Sequence, residues 1–121
     1  MAKPSAGRDP ALLLDIVLAA RDALSFIADQ DEVSFKASAL HQNAVVRCLE
    51  IIGEAANNLT QSTRTSIADV AWSDMIGMRH RLIHGYDAVD IDLVWRTARE
   101  RLAPLVARLE PLIPDDDGGE A

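Results

Sequence analysis

Apolar residues recur along this chain at spacings of three and four, and nowhere alternate one by one, so the pattern predicts helices throughout. Asp9-Pro10 sets a capping residue before a proline at the first helical position, which predicts a helix start. From there Leu13, Val17, Ala20, Leu24 and Ile27 form one apolar face, and Leu12, Ile16, Ala19 and Ala23 a second. This helix should pack on two sides and end in the polar stretch Asp29 to Glu32. A second helix is expected from Ser38 to Leu59, with Leu40, Ala44, Cys48, Ile51, Ala55 and Leu59 as its stripe and Asn57-Asn58 as its end. Gly53 lies inside it, where glycine costs about 1 kcal/mol against alanine. Close approach of a crossing helix would explain it. Glu54 beside it then reads either as a surface carboxylate or as the partner of an Arg on that crossing helix.

The segment Thr60 to Val70 is polar and should hold one short helix. Trp72 opens a third main helix, with Ser73 or Asp74 as cap and Met75, Ile76, Leu82 and Ile83 as apolar content. Gly85 stands where a terminating glycine would, so the helix should stop near His84. Asp90 caps a last helix from Ile91 to Leu109, with Ile91, Val94 or Trp95, Ala98, Leu102, Leu105 and Leu109 as its stripe. Pro104 should bend or break it. The expectation is an all-α protein, an antiparallel bundle of four main helices plus a short one. Residues 9–113 would form the domain, after an N-terminal extension (1–8) and before an acidic, disordered tail (114–121).

Composition narrows the function classes. With 121 residues, 49% of them hydrophobic, one domain can bury a core without staples or metals. The single cysteine, Cys48, excludes a disulfide framework and a Cys-based zinc site, and suits a reducing cytoplasm. It falls among Val45, Val46, Leu49 and Ile52 and reads as a small buried apolar residue. No signal peptide or membrane span is visible. The net charge of −7 argues against holding nucleic acid by bulk electrostatics, so any RNA contact must use a local basic site or a partner.

That local site is the stretch Met78 to Tyr86, Met-Arg-His-Arg-Leu-Ile-His-Gly-Tyr. Arg79 can grip a phosphate through its planar fork, His84 titrates near neutral pH, and the Tyr86 phenol can accept a modifying group. His80 and Arg81 are auxiliary candidates. On a straight helix at about 100° per residue, His80 falls within about 40° of His84 and Arg81 within about 60°, but Arg79 is about 140° away. Arg79 and His84 therefore share a site only if His84 leaves helical geometry at the Gly85 turn, or if a second copy of the chain completes the cleft. RNA cleavage through the neighbouring 2′-hydroxyl needs a base, an acid and positive charge near the phosphorus, and no metal. His84 would move protons, Arg79 would supply charge, and His80 or a second chain's His would supply the other protonation state.

Plainer readings stand beside this one. An Arg and a His five apart are, alone, an ordinary solvated helix end. His80 and His84 have the i, i+4 spacing of metal ligands, but no Glu lies between them in the metalloprotease arrangement and no third ligand is evident. His41 reads as structural or exposed, Trp72 and Trp95 as core or interface residues, and Tyr86 by itself as a half-buried tyrosine.

Several segments together resemble the HepT-like toxins of the HEPN superfamily. Arg47 to Asn57 (Arg-Cys-Leu-Glu-Ile-Ile-Gly-Glu-Ala-Ala-Asn) is similar to that family's second-helix signature. Trp72 to Arg79, followed by Leu82-Ile83-His84-Gly85-Tyr86, resembles its Arg-x4-His-x-Tyr motif with the usual lead-in, and Val89-Asp90 and Val94-Trp95 continue the match. The resemblance spans Asp9 to Leu112. It implies an all-helical homodimer, open to pairing further with its antitoxin, that acts as a metal-independent RNase toxin on RNA such as tRNA, with Arg79 and His84 facing a cleft between protomers. It also implies a minimal nucleotidyltransferase antitoxin, as in a type VII-like toxin–antitoxin pair, that transfers AMP from ATP to Tyr86. No cofactor, metal or membrane is implied. The family more often has Asn where this chain has His80, which leaves proton transfer and a plain hydrogen bond both open there. The competing reading is a non-catalytic helical subunit of a nucleotidyltransferase complex, with the motif as a docking surface.

Overall fold

In a computed structural model, residues 6–85 and 88–114 are described, and among them every regular element is helical. A 3-10 turn (Ala6–Arg8) leads into α1 (Asp9–Ile27). Then come α2 (Glu32–Lys36), α3 (Ala39–Asn58), α4 (Gln61–Ser66), α5 (Trp72–His84), α6 (Ile91–Glu100) and α7 (Leu102–Leu109), closed by a 3-10 turn (Glu110–Leu112). The acidic tail after Pro114 and most of the N-terminal extension lie outside the described residues.

Helix α1 is the centre of the core and packs mainly on α3 and α7. Both of its expected faces are used, and Ile16, Val17, Ala20 and Ala23 are shut off from solvent. The buried alanines of α1 permit close helix packing, and Leu102, Leu105 and Leu109 of α7 are buried in the same core. On α3 the buried stripe is Val45, Cys48, Leu49, Ile52, Ala55 and Ala56, continuing to Leu59. The expected stripe therefore shifts: Ile51 is only half-buried, and Leu40, in the first turn of α3, is 76% exposed.

Three boundaries depart from expectation. Asp9 does not cap α1. Arg8 holds the cap position without a side-chain bond, and the Asp9 carboxylate is buried. It accepts hydrogen bonds from the Thr60 N–H (3.2 Å), the Thr60 hydroxyl (2.6 Å) and the Thr63 hydroxyl. Three donors at the start of α4 hold the carboxylate better than the open end of its own helix could. Likewise neither Ser73 nor Asp74 caps α5, which begins at Trp72 after Ala71 with no side-chain cap. The burial of Trp72 and its indole N–H bond to the Ile67 carbonyl (3.0 Å) fix that start instead.

The last expected helix is two. It breaks at Arg101, which places Pro104 in the first turn of α7, where its missing N–H leaves no helical bond unmade. Asp90 does cap α6, accepting from the Leu93 N–H at 3.1 Å.

Helix α2 was not expected at all. Asp31 and Ser34 form a reciprocal capping box, and Phe35 drives into the core against Trp95, ring centroids 5.1 Å apart. The Gln42 side chain donates to the carbonyls of Phe35 and Lys36, both at 3.0 Å, and clamps the end of α2 onto α3. Lys36 adds ion pairs to Glu32 (2.8 Å) and to Asp92 on α6 (2.5 Å).

Candidate functional site

Helix α5 carries the candidate residues, and one glycine on α3 decides how it lies. A Cβ at Gly53 would fall 2.4 Å from the Arg79 Cβ and 2.7 Å from the Met75 carbonyl oxygen, so only a bare backbone lets α5 cross α3 here. The crossing turns Arg79 toward α3, half-buried. Its Nη2 lies 2.8 Å from the Glu54 Oε1, the pairing that Gly53 and Glu54 suggest in the sequence. Glu54 is nonetheless exposed, 53% by side chain, and its other oxygen accepts from the Asn58 amide at 3.2 Å. A carboxylate so placed holds the guanidinium while leaving it open to a second anion.

His80 and His84 occupy the outer face of α5. Both are exposed, with ring centroids 4.3 Å apart and planes inclined at 48°. Arg81 is exposed beside them, with no ion pair among the described residues. Helix α5 runs without interruption through His84, and Gly85 closes it by donating its N–H to the Arg81 carbonyl at 2.8 Å. Gly85 does so with φ −115°, an ordinary negative value, so the expected terminating glycine is present without a left-handed turn. The structure thus brings His80 and His84 together on the outer face, sets Arg81 at the edge of a groove beside it, and turns Arg79 toward α3. Of the two sequence-level conditions for joining Arg79 to His84, departure of His84 from the helix is not met.

Tyr86, the candidate modification residue, lies outside the described residues. No group of three or more His, Cys, Asp or Glu among the described residues is placed to hold a metal, so His80 and His84 gain no third ligand from them. His41 is half-buried, with its Nδ1 2.6 Å from the Ser38 hydroxyl, a structural contact at the start of α3. Trp72 and Trp95 are core residues. Cys48 is buried, and burial pushes its thiol above the ordinary value, as suits an inert core cysteine. No helix among the described residues is long and apolar enough to cross a membrane.

Arg96 on α6, outside the motif stretch, faces a groove beside the outer face of α5. The signal available in the sequence was the pair Arg96 and Arg99, exposed on one helix of an otherwise acidic chain.

Comparison with known proteins gives a consistent picture. The family model described as Ribonuclease HepT-like matches residues 16–112. A Methanocaldococcus jannaschii protein named "Putative RNase MJ1380" is 35% identical over 100 residues, 83% of this chain and 92% of its own length. A second from that organism, "Putative RNase MJ0125", is 34% identical over 105 residues, 87% of this chain and 90% of its own. "Probable ribonuclease HepT" of Thermococcus cleftensis is 39% identical over 71 residues, 59% of this chain and 64% of its own. No solved structure gives a significant match.

Proposed function

Because the chain belongs to the HepT-like ribonuclease family, we propose that it cleaves RNA in a cleft shared by two copies, with Arg79 and His84 as catalytic residues. The observation that carries this reading is the unbroken helix from Trp72 to His84. On it Arg79 is turned to Glu54 on α3 while His84 stands on the outer face, so one chain alone does not offer both to one phosphate. A two-fold partner laid against α5 presents its own His84 to Arg79, and every group is then available twice.

The chemistry follows from the residues. One imidazole takes the proton of the 2′-hydroxyl as its oxygen attacks the adjacent phosphorus. A second imidazole, His80 or the other copy's His84, gives a proton to the departing 5′-oxygen. The products are a 2′,3′-cyclic phosphate and a 5′-hydroxyl. The Arg79 guanidinium neutralises charge on the non-bridging oxygens, sharing itself between substrate and Glu54. Nothing in these steps calls for a metal.

In this reading the protein is a cytoplasmic toxin acting on RNA such as tRNA, built as a dimeric bundle over residues 9–113. Its partner is a minimal nucleotidyltransferase antitoxin that joins AMP from ATP to the Tyr86 phenol and releases pyrophosphate. The added phosphodiester would repel RNA two residues from His84. The net charge of −7 favours a second reading, a non-catalytic subunit of that nucleotidyltransferase.

Purified, unmodified protein offered tRNA and total RNA in EDTA separates the two. The toxin reading expects cleavage, lost by about 100-fold or more in folded His84→Ala and Arg79→Ala variants. A parent that leaves all RNA intact selects the binding subunit. Intact-mass measurement after co-expression with the nucleotidyltransferase should show added AMP that disappears in Tyr86→Phe.

A further inference from the structure

Beside the outer face of α5 runs a groove of about 770 Å³, walled on the other side by α6 and α7. Its floor carries Met75 and Met78 from α5 and Leu93 from α6, all half-buried. Gly77 opens onto it, and a Cβ there would meet nothing within 4 Å, so no contact within the chain fills that space. Four arginines reach the groove, and they divide sharply. Arg101 pairs with Asp74 at 3.4 Å, and Arg108 holds Asp69 with two bonds of 2.7 and 3.0 Å. Arg81 and Arg96 have no ion pair or hydrogen bond to a carboxylate among the described residues. Arg96 has Asp92 one helical turn away as an electrostatic partner, but no direct ion pair joins them, and Lys36 bridges that carboxylate to Glu32. Set against Glu100, which also reaches the groove unpaired, the two arginines leave one net positive charge.

We propose that this groove is a single-stranded RNA track, in which Arg81 and Arg96 grip phosphates next to the one that is cut. The inference rests on the ribonuclease reading and extends it to substrate binding. Arg81 is three residues from His84 on the same helix, so the open positive charge begins beside the reacting centre. A chain of net charge −7 repels RNA over much of its surface, which favours a groove whose lining carries a net positive charge. The methionine sulfurs and Leu93 offer an apolar bed for an unstacked base, a surface that suits a single strand and not a duplex. The carboxylate-paired end, at Asp74 and Asp69, marks where the track stops, so few phosphates are held.

The test is fluorescence anisotropy of a labelled single-stranded RNA oligonucleotide with the His84→Ala protein, over a range of salt. Adding Arg96→Ala should weaken binding about tenfold and flatten the slope of log affinity on log salt by about 0.7, the share of one phosphate contact. In the cleaving protein Arg96→Ala should raise KM by a similar factor, with kcat within about twofold. Unchanged affinity and slope, or no measurable binding by His84→Ala, overturns the proposal. So does a change of oligomeric state in Arg96→Ala without an effect on RNA, which would make the groove a protein contact. Cleavage with an unaltered KM in Arg96→Ala removes the track and leaves the ribonuclease standing. Arg96-dependent binding by a parent that cuts nothing does the reverse.

Discussion

Asp9 is the buried charge among the described residues, and its three donors all come from the start of α4. Burial pushes its carboxyl up, but the bonds from Thr60 and Thr63 outweigh burial and hold it below the ordinary 3.8. A lowered folded value means stability that is complete above the ordinary carboxylate range and lost as pH falls through the folded value. The parent should therefore lose stability below about pH 4, and Asp9→Asn should flatten that loss in urea titrations taken at several pH values. At neutral pH Asp9→Ala should cost about 1–2 kcal/mol, because it removes the shared acceptor of half-buried donors. Glu54 predicts the opposite profile. Its pair with Arg79 is half-exposed, so Glu54→Ala should change stability by less than about 1 kcal/mol. It should still lower kcat several-fold, because Arg79 loses the group that aims it. The Glu54 pairing was legible because Gly53 announced a crossing helix next door. The Asp9 contact was not, because capping rules are local and Thr60 lies 51 residues away.

At the scale of elements, two glycines in helix interiors make a matched pair. Gly53→Ala collides with the Arg79 Cβ and a backbone oxygen that cannot swing aside, so about 1–3 kcal/mol of overpacking outweighs the gain in helix propensity. Gly77→Ala meets open space and should stabilise the fold by about 0.5–1 kcal/mol. Thermal unfolding of the two variants should move in opposite directions. Helix α2 shows what periodicity misses. Five residues are too few to display a stripe, and one buried aromatic, Phe35, does the anchoring. Phe35→Ala should cost about 3–5 kcal/mol, while Lys36→Ala, which removes exposed ion pairs, should cost under about 1. The longer helices could be read because their apolar residues recur over several turns. The break at Arg101 was only half readable: Pro104 signalled a disturbance, but first-turn tolerance of proline moves the break three residues upstream.

At the scale of the whole molecule, the helix that exposes His84 is the helix that turns Arg79 inward, and no rotation of a rigid α5 serves both. The sequence contained this conflict as an angle of about 140°, and in the proposed ribonuclease reading a second copy resolves it. The central claim is therefore that catalysis joins Arg79 of one copy to His84 of another. Mixing two inactive proteins, Arg79→Ala and His84→Ala, after unfolding and refolding them together tests it most directly. Half of the refolded dimers are mixed, and each carries one intact pair of groups. With His80 as the second imidazole, the account predicts recovery of about one quarter of the parental cleavage rate. A mixture as inactive as its two components would contradict it.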